Sequence, residues 1–266
     1  MEQLVSTIAS RPEAQHRMAS PVDLPAKDRL IVALDVPTID EAISIVEKLD
    51  NVCFFKIGLR LYMAGAMSGK LQTLVDLLRP HGGIFFDLKI PGDIDTTIAT
   101  VVQDYKSTPH VKFLTLNEFM PLSSIRAARL ARGDRPTPKL LMVPYLSHLD
   151  GTSDLRELYG ESDFETFLLG RAERAIINGC DGLIASGDAI GLFRRNYPKS
   201  SGVVIVSPGI RPAGAPTDEH KRFTTPAEAI RLGADYLVVG RPILNHQDPN
   251  DAAARIINEM DGALHS

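Results

Sequence analysis

Charged residues interrupt the apolar runs in the early part of the chain. Asp35 ends the first run, Lys56 lies within the second, Asp87 and Lys89 end the third, and Asp93 follows in the next loop. Because a buried charge is costly unless it is paired, we expect Lys56, Asp87, Lys89 and Asp93 to lie together as a row of alternating charge. Such a row shifts pKa values and makes a lysine a credible proton donor. An ion-pair network that only holds the strands together is the alternative.

A second set of residues could bind an anion. The letters SPGIR at 207–211 follow the seventh apolar run, and GRP at 240–242 follows the eighth. Backbone N–H groups at the start of a helix and a bidentate arginine both suit a phosphate group. We therefore predict a phosphate site around Arg241, with an arginine that merely caps the rim of the fold as the alternative.

Other catalytic motifs are absent from the sequence. It contains no G-x-S-x-G turn of serine hydrolases, no H-E-x-x-H metal motif and no Walker phosphate loop. No clustered set of histidines and carboxylates indicates a metal, and we expect none. Cys53 and Cys180 form neither a disulfide framework nor a zinc-finger spacing. We expect both to be buried thiols of a protein in the reducing cytoplasm.

Eight apolar runs predict the strands that position these residues. Most are continuously apolar, which is typical of parallel strands covered on both faces. The predicted strands are Leu30–Val36, Cys53–Leu59, Ile84–Ile90, Val111–Asn117, Leu140–Leu146, Gly182–Ser186, Val203–Ser207 and Tyr236–Gly240. The predicted helices between them are Thr38–Leu49, Ile94–Tyr105, Leu122–Arg132, Phe164–Asn178, Ala189–Tyr197, Pro226–Leu232 and Asp251–Leu264.

This alternation predicts a single (β/α)₈ barrel, in which chemistry belongs at the C-terminal ends of the strands. An open doubly wound sheet is the alternative. No linker divides the chain, so we predict an N-terminal extension over residues 1–28 and a barrel domain over 29–266. The extension is either loose or a short packed arm. The polar stretch Ser147–Asp163 is expected to be a loop over the barrel mouth.

The composition of the 266-residue chain excludes several classes of protein. With 29 Lys and Arg against 33 Asp and Glu, the net charge of −4 argues against a strongly basic nucleic-acid-binding domain. No apolar run approaches the ~20 residues that would span a bilayer. Residues 1–28 lack the apolar core of a secretory signal. We expect neither nucleic acid nor a membrane as a partner.

The combination of motifs resembles the orotidine 5′-monophosphate decarboxylase family over roughly residues 29–260. The segments that carry the resemblance occur in the family's order and are ALD at 33–35, FKIG at 55–58, DLK at 87–89, DIDTT at 93–97, SPGIRP at 207–212 and VVGRPI at 238–243. The resemblance implies a homodimeric (β/α)₈ barrel without metal or organic cofactor. It also implies conversion of orotidine 5′-monophosphate to UMP and carbon dioxide in pyrimidine biosynthesis.

The resemblance implies roles for the charged row. Asp35 and Lys56 would contact the ribose hydroxyls, and Lys56 would also join the row. Asp87 would lie beside the substrate carboxylate. Lys89 would deliver a proton to C6 after carbon dioxide leaves, which is electrostatic and acid catalysis by one ammonium group.

Further implied contacts come from the loops. Asp93, Ile94 and Thr97 would reach into the site of the partner subunit. Ser147 would touch the pyrimidine, and Pro208 would line the base pocket. These positions follow from the family's motifs and not from spacing alone.

The implied phosphate side consists of Arg211, Gly240 and Arg241. A glutamine that closes on the phosphate is common in the family, and His220 stands at its place, so its hydrogen bond would depend on pH. The natural candidate for a water-excluding loop is Pro212–Arg222.

Two further positions depart from the family's pattern. Three residues, Ile90–Gly92, separate Lys89 from Asp93 where the family usually has two, so the Pro-Gly turn must absorb the insertion if Asp93 is to keep its place. The fourth strand ends in Asn117, where many relatives carry histidine.

Two other functions remain open. Sugar-phosphate decarboxylases and aldolases that share a D-x-K-x-x-D core use Mg²⁺, and a metal requirement would favour them. The DIDTT and SPGIRP segments argue against this class. A catalytically inactive nucleotide-binding barrel is the second possibility, and only the inserted residue supports it.

Overall fold

The eight predicted strands close into one parallel barrel. The computed structural model describes residues 24–108, 110–146, 149, 152–212 and 224–266. Its strands are hydrogen-bonded in the order β1 to β8, with β8 pairing back onto β1. They are β1 Leu30–Ala33, β2 Phe54–Gly58, β3 Gly83–Ile90, β4 Val111–Asn117, β5 Lys139–Val143, β6 Gly182–Ile184, β7 Val204–Ser207 and β8 Tyr236–Val239. The (β/α)₈ prediction is confirmed, and the open-sheet alternative is wrong.

Helices cover the outside of this barrel. Two short 3₁₀ turns, Arg79–His81 and Lys199–Ser201, precede β3 and β7. The α-helices of the described residues are α1 Ala26–Arg29, α2 Ile39–Val46, α3 Leu59–Ser68, α4 Leu71–Leu78, α5 Asp95–Ser107, α6 Leu122–Arg132, α7 Ser153–Tyr159, α8 Phe164–Ile177, α9 Ala189–Asn196, α10 Pro226–Leu232, α11 Arg241–Leu244 and α12 Pro249–Leu264. None of them is both long and apolar enough to cross a membrane.

The barrel interior is an apolar plug with a charged layer above it. The interior side chains include Ile31, Ala33, Phe54, Phe85, Phe113, Leu141, Val204, Val206, Tyr236 and Val238. Side chains alternate between the faces of a strand, so the residue two positions after an inward-facing phenylalanine also points inward. That residue is Lys56 on β2, Asp87 on β3 and Thr115 on β4. Polar groups from three neighbouring strands therefore follow the apolar plug on the side of the C-terminal strand ends.

At the N-terminal end of the barrel, buried carboxylates pair with arginines and strand N–H groups. Asp235, just before β8, is 2% exposed and accepts hydrogen bonds from the Ile205 N–H at 2.7 Å and from Arg194 at 2.6 Å. Asp181, just before β6, likewise pairs with an arginine and a strand N–H. These carboxylates join strand beginnings to helices, which is a stabilising role at the N-terminal face.

Two features differ from the sequence prediction. Helices α3 and α4 were not predicted. In α3, Gly65 lowers the helix propensity, and its small size allows a close approach to Ile39 of α2. The supposed loop Ser147–Asp163 contains α7. Its Leu155 is fully buried and Tyr159 lies on the same helix face at spacing i, i+4, so the segment is anchored despite its polarity.

The end of the predicted extension packs against the barrel. Leu24 contacts the interior plug, and the Arg29 guanidinium donates to the Leu24 carbonyl at 2.8 Å. Residues 24–28 thus behave as a packed arm, while residues 1–23 lie outside the described part. The expected burial of both thiols is confirmed for Cys180 and only in part for Cys53. Burial and the neighbouring Asp28 raise the pKa of Cys53 to about 11.

Candidate active site

A cavity of about 800 Å³ opens at the C-terminal ends of the strands. The strands that frame it on one side, β7, β8, β1, β2 and β3, are neighbours in the closed barrel although they lie far apart in the chain. The predicted site residues that line the cavity are Asp35, Lys56, Asp87, Lys89, Pro208, Arg211, Gly240 and Arg241.

Three members of the predicted row, Lys56, Asp87 and Lys89, lie together with Asp35. The fourth, Asp93, does not join them, because the loop after β3 carries it away to the residues that precede α5. The Lys56 Nζ lies 2.9 Å from Oδ1 of Asp35 and 3.4 Å from Oδ2 of Asp87. The Lys89 Nζ lies 2.9 Å from both carboxylate oxygens of Asp87. Acid and base therefore alternate in space, and Asp87 is held between two ammonium groups.

Burial and pairing oppose each other in setting the charges of this row. Burial by itself favours the neutral form of Lys56, but the carboxylates of Asp87 and Asp35 outweigh it and raise its pKa. Burial likewise favours a neutral Asp87, but the ammonium groups of Lys56 and Lys89 outweigh it and lower the pKa of the carboxyl. Lys56 is thus protonated and Asp87 ionised at neutral pH.

A bulge in β3 sets the position of Lys89. Phe86 pairs with Leu114 of β4, and the next pair is Ile90 with Leu116. Three residues of β3 therefore stand opposite a single residue of β4. Lys89 has a φ of +48°, in the left-handed region. The predicted contact between Asp87 and Lys89 is confirmed, but it depends on this bulge and not on regular strand alternation.

Thr115 is the single β4 residue opposite the bulge, and sequence reasoning missed it. Its Oγ1 accepts a hydrogen bond from the backbone N–H of Lys89 at 2.9 Å and donates one to Oδ1 of Asp87 at 3.0 Å. The signal was available, since Thr115 is a polar residue on the inward register of an otherwise apolar strand.

Close packing around the row explains why β2 ends in glycine. A Cβ on Gly58 would lie 3.0 Å from Oδ1 of Asp35 and 3.1 Å from the Lys56 Nζ. A side chain at this position would press on the ion pair. Gly58 therefore provides the space in which the first acid–base pair forms.

The loop after β3 contains the extra residue noted in the sequence, and its absorption by the Pro-Gly segment stays a prediction. Gly92 has a φ of +112°, and a Cβ there would lie 2.8 Å from Cδ of Pro121. Asp93 then lies at the start of α5, where its carboxylate accepts from the Ile94 N–H at 2.6 Å and its carbonyl accepts from Ser124 at 3.0 Å. Glycine at position 92 makes this close approach of the loop to Pro121 possible.

Three predicted site residues lie outside the cavity of the single chain. Asp93, Ile94 and Thr97 are exposed at the start of α5, and Ile94 is 68% exposed. Their predicted contact with a partner subunit stays a prediction.

The candidate phosphate site lies at the ends of β7 and β8, beside the strands that carry the charged row. Gly240 directly precedes the short helix α11, which begins at Arg241. Arg211 is 7% exposed, and its guanidinium donates to the Ile210 carbonyl at 2.9 Å while its backbone N–H donates to Thr224 at 3.0 Å. The structure thus brings two arginines from β7 and β8 to one cavity.

The remaining lining residues were not predicted. Ser186, at the end of β6, donates to the Pro208 carbonyl at 3.3 Å. Tyr145 and Leu168 belong to the apolar wall, and Arg60 lies at its exposed rim. Ser186 and Tyr145 follow strand ends, which is the signal that could have identified them.

Two predicted contacts lie outside the described residues, namely Ser147 and His220. Within the described part, no group of three or more His, Cys, Asp or Glu side chains could hold a metal ion. The carboxylates of Asp35 and Asp87 accept from lysine ammonium groups.

Comparison with known proteins gives consistent matches over most of the chain. The sequence model of the orotidine 5′-phosphate decarboxylase / HUMPS family matches residues 28–256. An orotidine 5′-phosphate decarboxylase of Rhodopseudomonas palustris (strain BisB5) is 40% identical over 243 residues, covering 91% of this chain and 97% of the relative. One from Methylococcus capsulatus is 39% identical over 235 residues, covering 87% and 91%.

A solved structure agrees with these relatives. The crystal structure of orotidine 5′-phosphate decarboxylase from Lactobacillus acidophilus matches with a TM-score of 0.71 and 27% sequence identity. The match covers 88% of this chain and 99% of that chain. By its sequence, its closed barrel and the charged row at the barrel mouth, this chain belongs to the orotidine 5′-phosphate decarboxylase / HUMPS family.

Proposed function

We propose that the protein decarboxylates orotidine 5′-monophosphate to UMP in pyrimidine biosynthesis. The observation that carries this proposal is the Lys89 ammonium, held 2.9 Å from both oxygens of Asp87 in a cavity that two arginines also line. An anionic pyrimidine nucleotide suits such a cavity, because its phosphate needs cations and its base needs an apolar wall. The names of the relatives support the same activity.

The proposed chemistry takes place at C6 of the pyrimidine. The bond from C6 to the carboxylate carbon breaks, carbon dioxide leaves, and the electron pair stays on C6. The Lys89 ammonium stabilises that developing charge and then transfers a proton from Nζ to C6. Because the ammonium is already in place, little reorganisation is needed during the reaction.

Asp87 serves this step in two ways. It holds the Lys89 ammonium by two hydrogen bonds, and it brings a negative charge close to the substrate carboxylate. The second effect disfavours the bound ground state and is relieved when neutral carbon dioxide departs. The lowered pKa of Asp87 keeps that carboxylate ionised at neutral pH.

The other lining residues bind the rest of the nucleotide. Asp35 and Lys56 contact the ribose hydroxyls, and Pro208 with the apolar wall contacts the base. Arg211, Gly240 and Arg241 bind the phosphate at the ends of β7 and β8, where all three line the cavity. Phosphate binding supplies energy for orientation at the distant reacting centre. We also assign Ser147 to the pyrimidine and His220 to the phosphate, on the resemblance alone.

We propose that two chains share their sites in a homodimer. Asp93, Ile94 and Thr97 of one subunit then complete the site of the other. The support is two exposed apolar side chains that follow β3 and β4, since Ile94 is 68% and Phe119 60% exposed. Burial of such side chains against a second copy is favourable.

The proposed reaction uses no metal or organic cofactor. Its support is the donor set, since Lys56 and Lys89 already occupy the carboxylates of the row as hydrogen-bond donors. The single catalytic unit over residues 29–266 and a cytoplasmic location remain predictions from the sequence.

Turnover of orotidine 5′-monophosphate, followed spectrophotometrically with and without EDTA, tests the function. We expect turnover that EDTA does not change. Folded, pure protein without turnover would reject the activity and favour an inactive nucleotide-binding barrel. Turnover that EDTA abolishes would contradict the cofactor-free reaction, and activity on sugar phosphates with Mg²⁺ would favour the aldolase class.

A further inference from the structure

We propose that Thr115 is a positioning residue of the active site, whose hydroxyl holds the Asp87 carboxylate and the Lys89 backbone in their reactive arrangement. The inference rests on the decarboxylase function proposed above. Thr115 does not line the cavity, so it acts through its two neighbours and not on the substrate.

The bulge in β3 creates the need for this hydroxyl. Between the pairs Phe86–Leu114 and Ile90–Leu116, β3 has two residues more than β4. A bulge leaves backbone groups without their usual ladder partners, and a buried N–H group must find another acceptor. Thr115 Oγ1 takes that place for the N–H of Lys89, at 2.9 Å.

This contact also fixes the direction of the hydroxyl proton. A threonine hydroxyl has one proton to donate and lone pairs to accept with. Since Oγ1 accepts from Lys89, its own proton is free for Oδ1 of Asp87, which lies 3.0 Å away. The Thr115 side chain thus positions both the Asp87 carboxylate, which orients the Lys89 ammonium, and the Lys89 backbone.

The surroundings make the contact hard to replace. Thr115 is fully buried, so bulk water has no access to the position. Its β-branched side chain has restricted χ1 rotation on a strand. Lys89 itself has a φ of +48°, a conformation that persists when the surrounding structure holds it. The hydroxyl of Thr115 is one of the groups that hold it.

Two pairs of variants isolate the hydroxyl. Thr115→Ser and Thr115→Ala both lack the methyl group and differ from each other only in the hydroxyl. Thr115→Val keeps the shape of the wild-type side chain and lacks the hydroxyl. The alanine variant keeps the test valid if the valine variant does not fold. Wild type is assayed beside all three with orotidine 5′-monophosphate.

We expect the hydroxyl to affect kcat more than KM. In Thr115→Ala and Thr115→Val, kcat should fall by about tenfold to a hundredfold, since small misplacements of reacting groups have effects of this size. KM should change by less than about threefold, because the substrate contacts remain. Thr115→Ser should keep kcat within about threefold of wild type.

Several results would overturn the proposal. If kcat falls as far in Thr115→Ser as in Thr115→Ala, the loss comes from packing and not from the hydroxyl. If kcat is unchanged in both Thr115→Ala and Thr115→Val, the hydroxyl has no positioning role. Absence of turnover by wild type would reject the decarboxylase function instead. A crystal structure of Thr115→Val decides the positioning role independently of activity. An unchanged Lys89 φ, with Nζ still bonded to both oxygens of Asp87, would reject it.

Discussion

In the proposed reaction, Lys89 both stabilises the developing charge and donates the proton. Its side chain is 38% exposed, in contact with the cavity, whereas the Lys56 side chain is only 9% exposed. Lys56 bridges two carboxylates, and Lys89 contacts one. Lys89 therefore has the access to substrate that a proton donor needs, and Lys56 has the more structural position.

Replacing Lys89 should slow the chemical step and leave nucleotide binding in place. We expect Lys89→Ala to lower kcat by at least about a thousandfold, because both the electrostatic stabilisation and the proton are lost. UMP should still bind measurably, since the phosphate contacts remain. The measurement is steady-state kinetics with UMP titration calorimetry.

Lys70→Ala is a suitable control for that experiment. Lys70 pairs with Asp40 on the protein surface, where both side chains are more than half exposed. Its removal should leave kcat unchanged. Near-normal turnover by Lys89→Ala would mean that another group donates the proton.

Asp87 should make stability depend on acid pH. Its folded-state pKa lies below the unfolded value, so its contribution to the free energy of unfolding is present above about pH 4 and is lost as pH falls through the folded pKa. Asn at this position cannot titrate. The difference in unfolding free energy between wild type and Asp87→Asn should therefore shrink on acidification.

Urea unfolding of both proteins at pH 6 and at successively lower pH provides that difference. A constant difference over the whole acid range would show that Asp87 has no lowered pKa in the folded protein. A difference that grows on acidification would show a raised one.

At the scale of elements, the end of β3 and the loop after it set the positions of Lys89 and Asp93. The bulge places Lys89, and the turn at Gly92 places Asp93 at the start of α5. Both features are departures from regular geometry next to the reacting groups. Bulges commonly re-aim side chains at such places.

Substitution of Gly92 should be more harmful than that of another left-handed glycine. Gly69→Ala places a side chain at a φ of +72° with nothing within 4 Å, and we expect a loss of about 1–2 kcal/mol in unfolding free energy. Gly92→Ala adds a contact of 2.8 Å to Pro121, and we expect about 2–4 kcal/mol.

Urea unfolding of the two variants measures these losses, and kinetics measure the displacement of Asp93. Gly92→Ala should lower kcat whereas Gly69→Ala should not. Equal losses of stability would mean that the loop moves away from Pro121 without strain.

At the scale of the whole molecule, the cavity of one chain contains only part of the proposed site. Asp93 and Thr97 belong to the motif that carries the family resemblance but lie on the exposed surface of their own subunit. A closed two-fold assembly places equivalent residues of each subunit at both sites. Activity would then require the dimer.

Complementation between inactive subunits tests this sharing. In a heterodimer of Lys89→Ala and Asp93→Ala, one site has both residues intact and the other lacks both. An equal mixture that exchanges subunits freely should recover about a quarter of wild-type activity, since half of the dimers are mixed and each has one complete site. Either variant alone should be nearly inactive.

Verified heterodimers without recovered activity would contradict the shared site. Full activity of Asp93→Ala by itself would do the same. The control is a mixture of Lys89→Ala with Lys70→Ala. Its activity should be only that of the Lys70→Ala subunits, whose sites are intact, and subunit exchange should add nothing.

Local pattern was sufficient for much of the architecture. Continuously apolar runs predict parallel strands because both of their faces are covered, and eight of them in alternation with helices predict the barrel. Helix α3 escaped prediction because Gly65 weakens its propensity while improving its packing. Helix α7 escaped because a single buried residue, Leu155, anchors a polar segment.

The sequence by itself determined that a cluster of paired charges forms, because charged residues in buried strands must meet partners of opposite charge. Which partners meet was decided by tertiary structure. Barrel closure brings β8 beside β1, and the bulge in β3 sets Lys89 against both Asp87 and Thr115. The alternation of apolar runs with helices predicts closure, but the bulge is not visible in residue types, because it depends on hydrogen bonds between two strands that are separate in the chain. Thr115 acquires its proposed role only through that pairing.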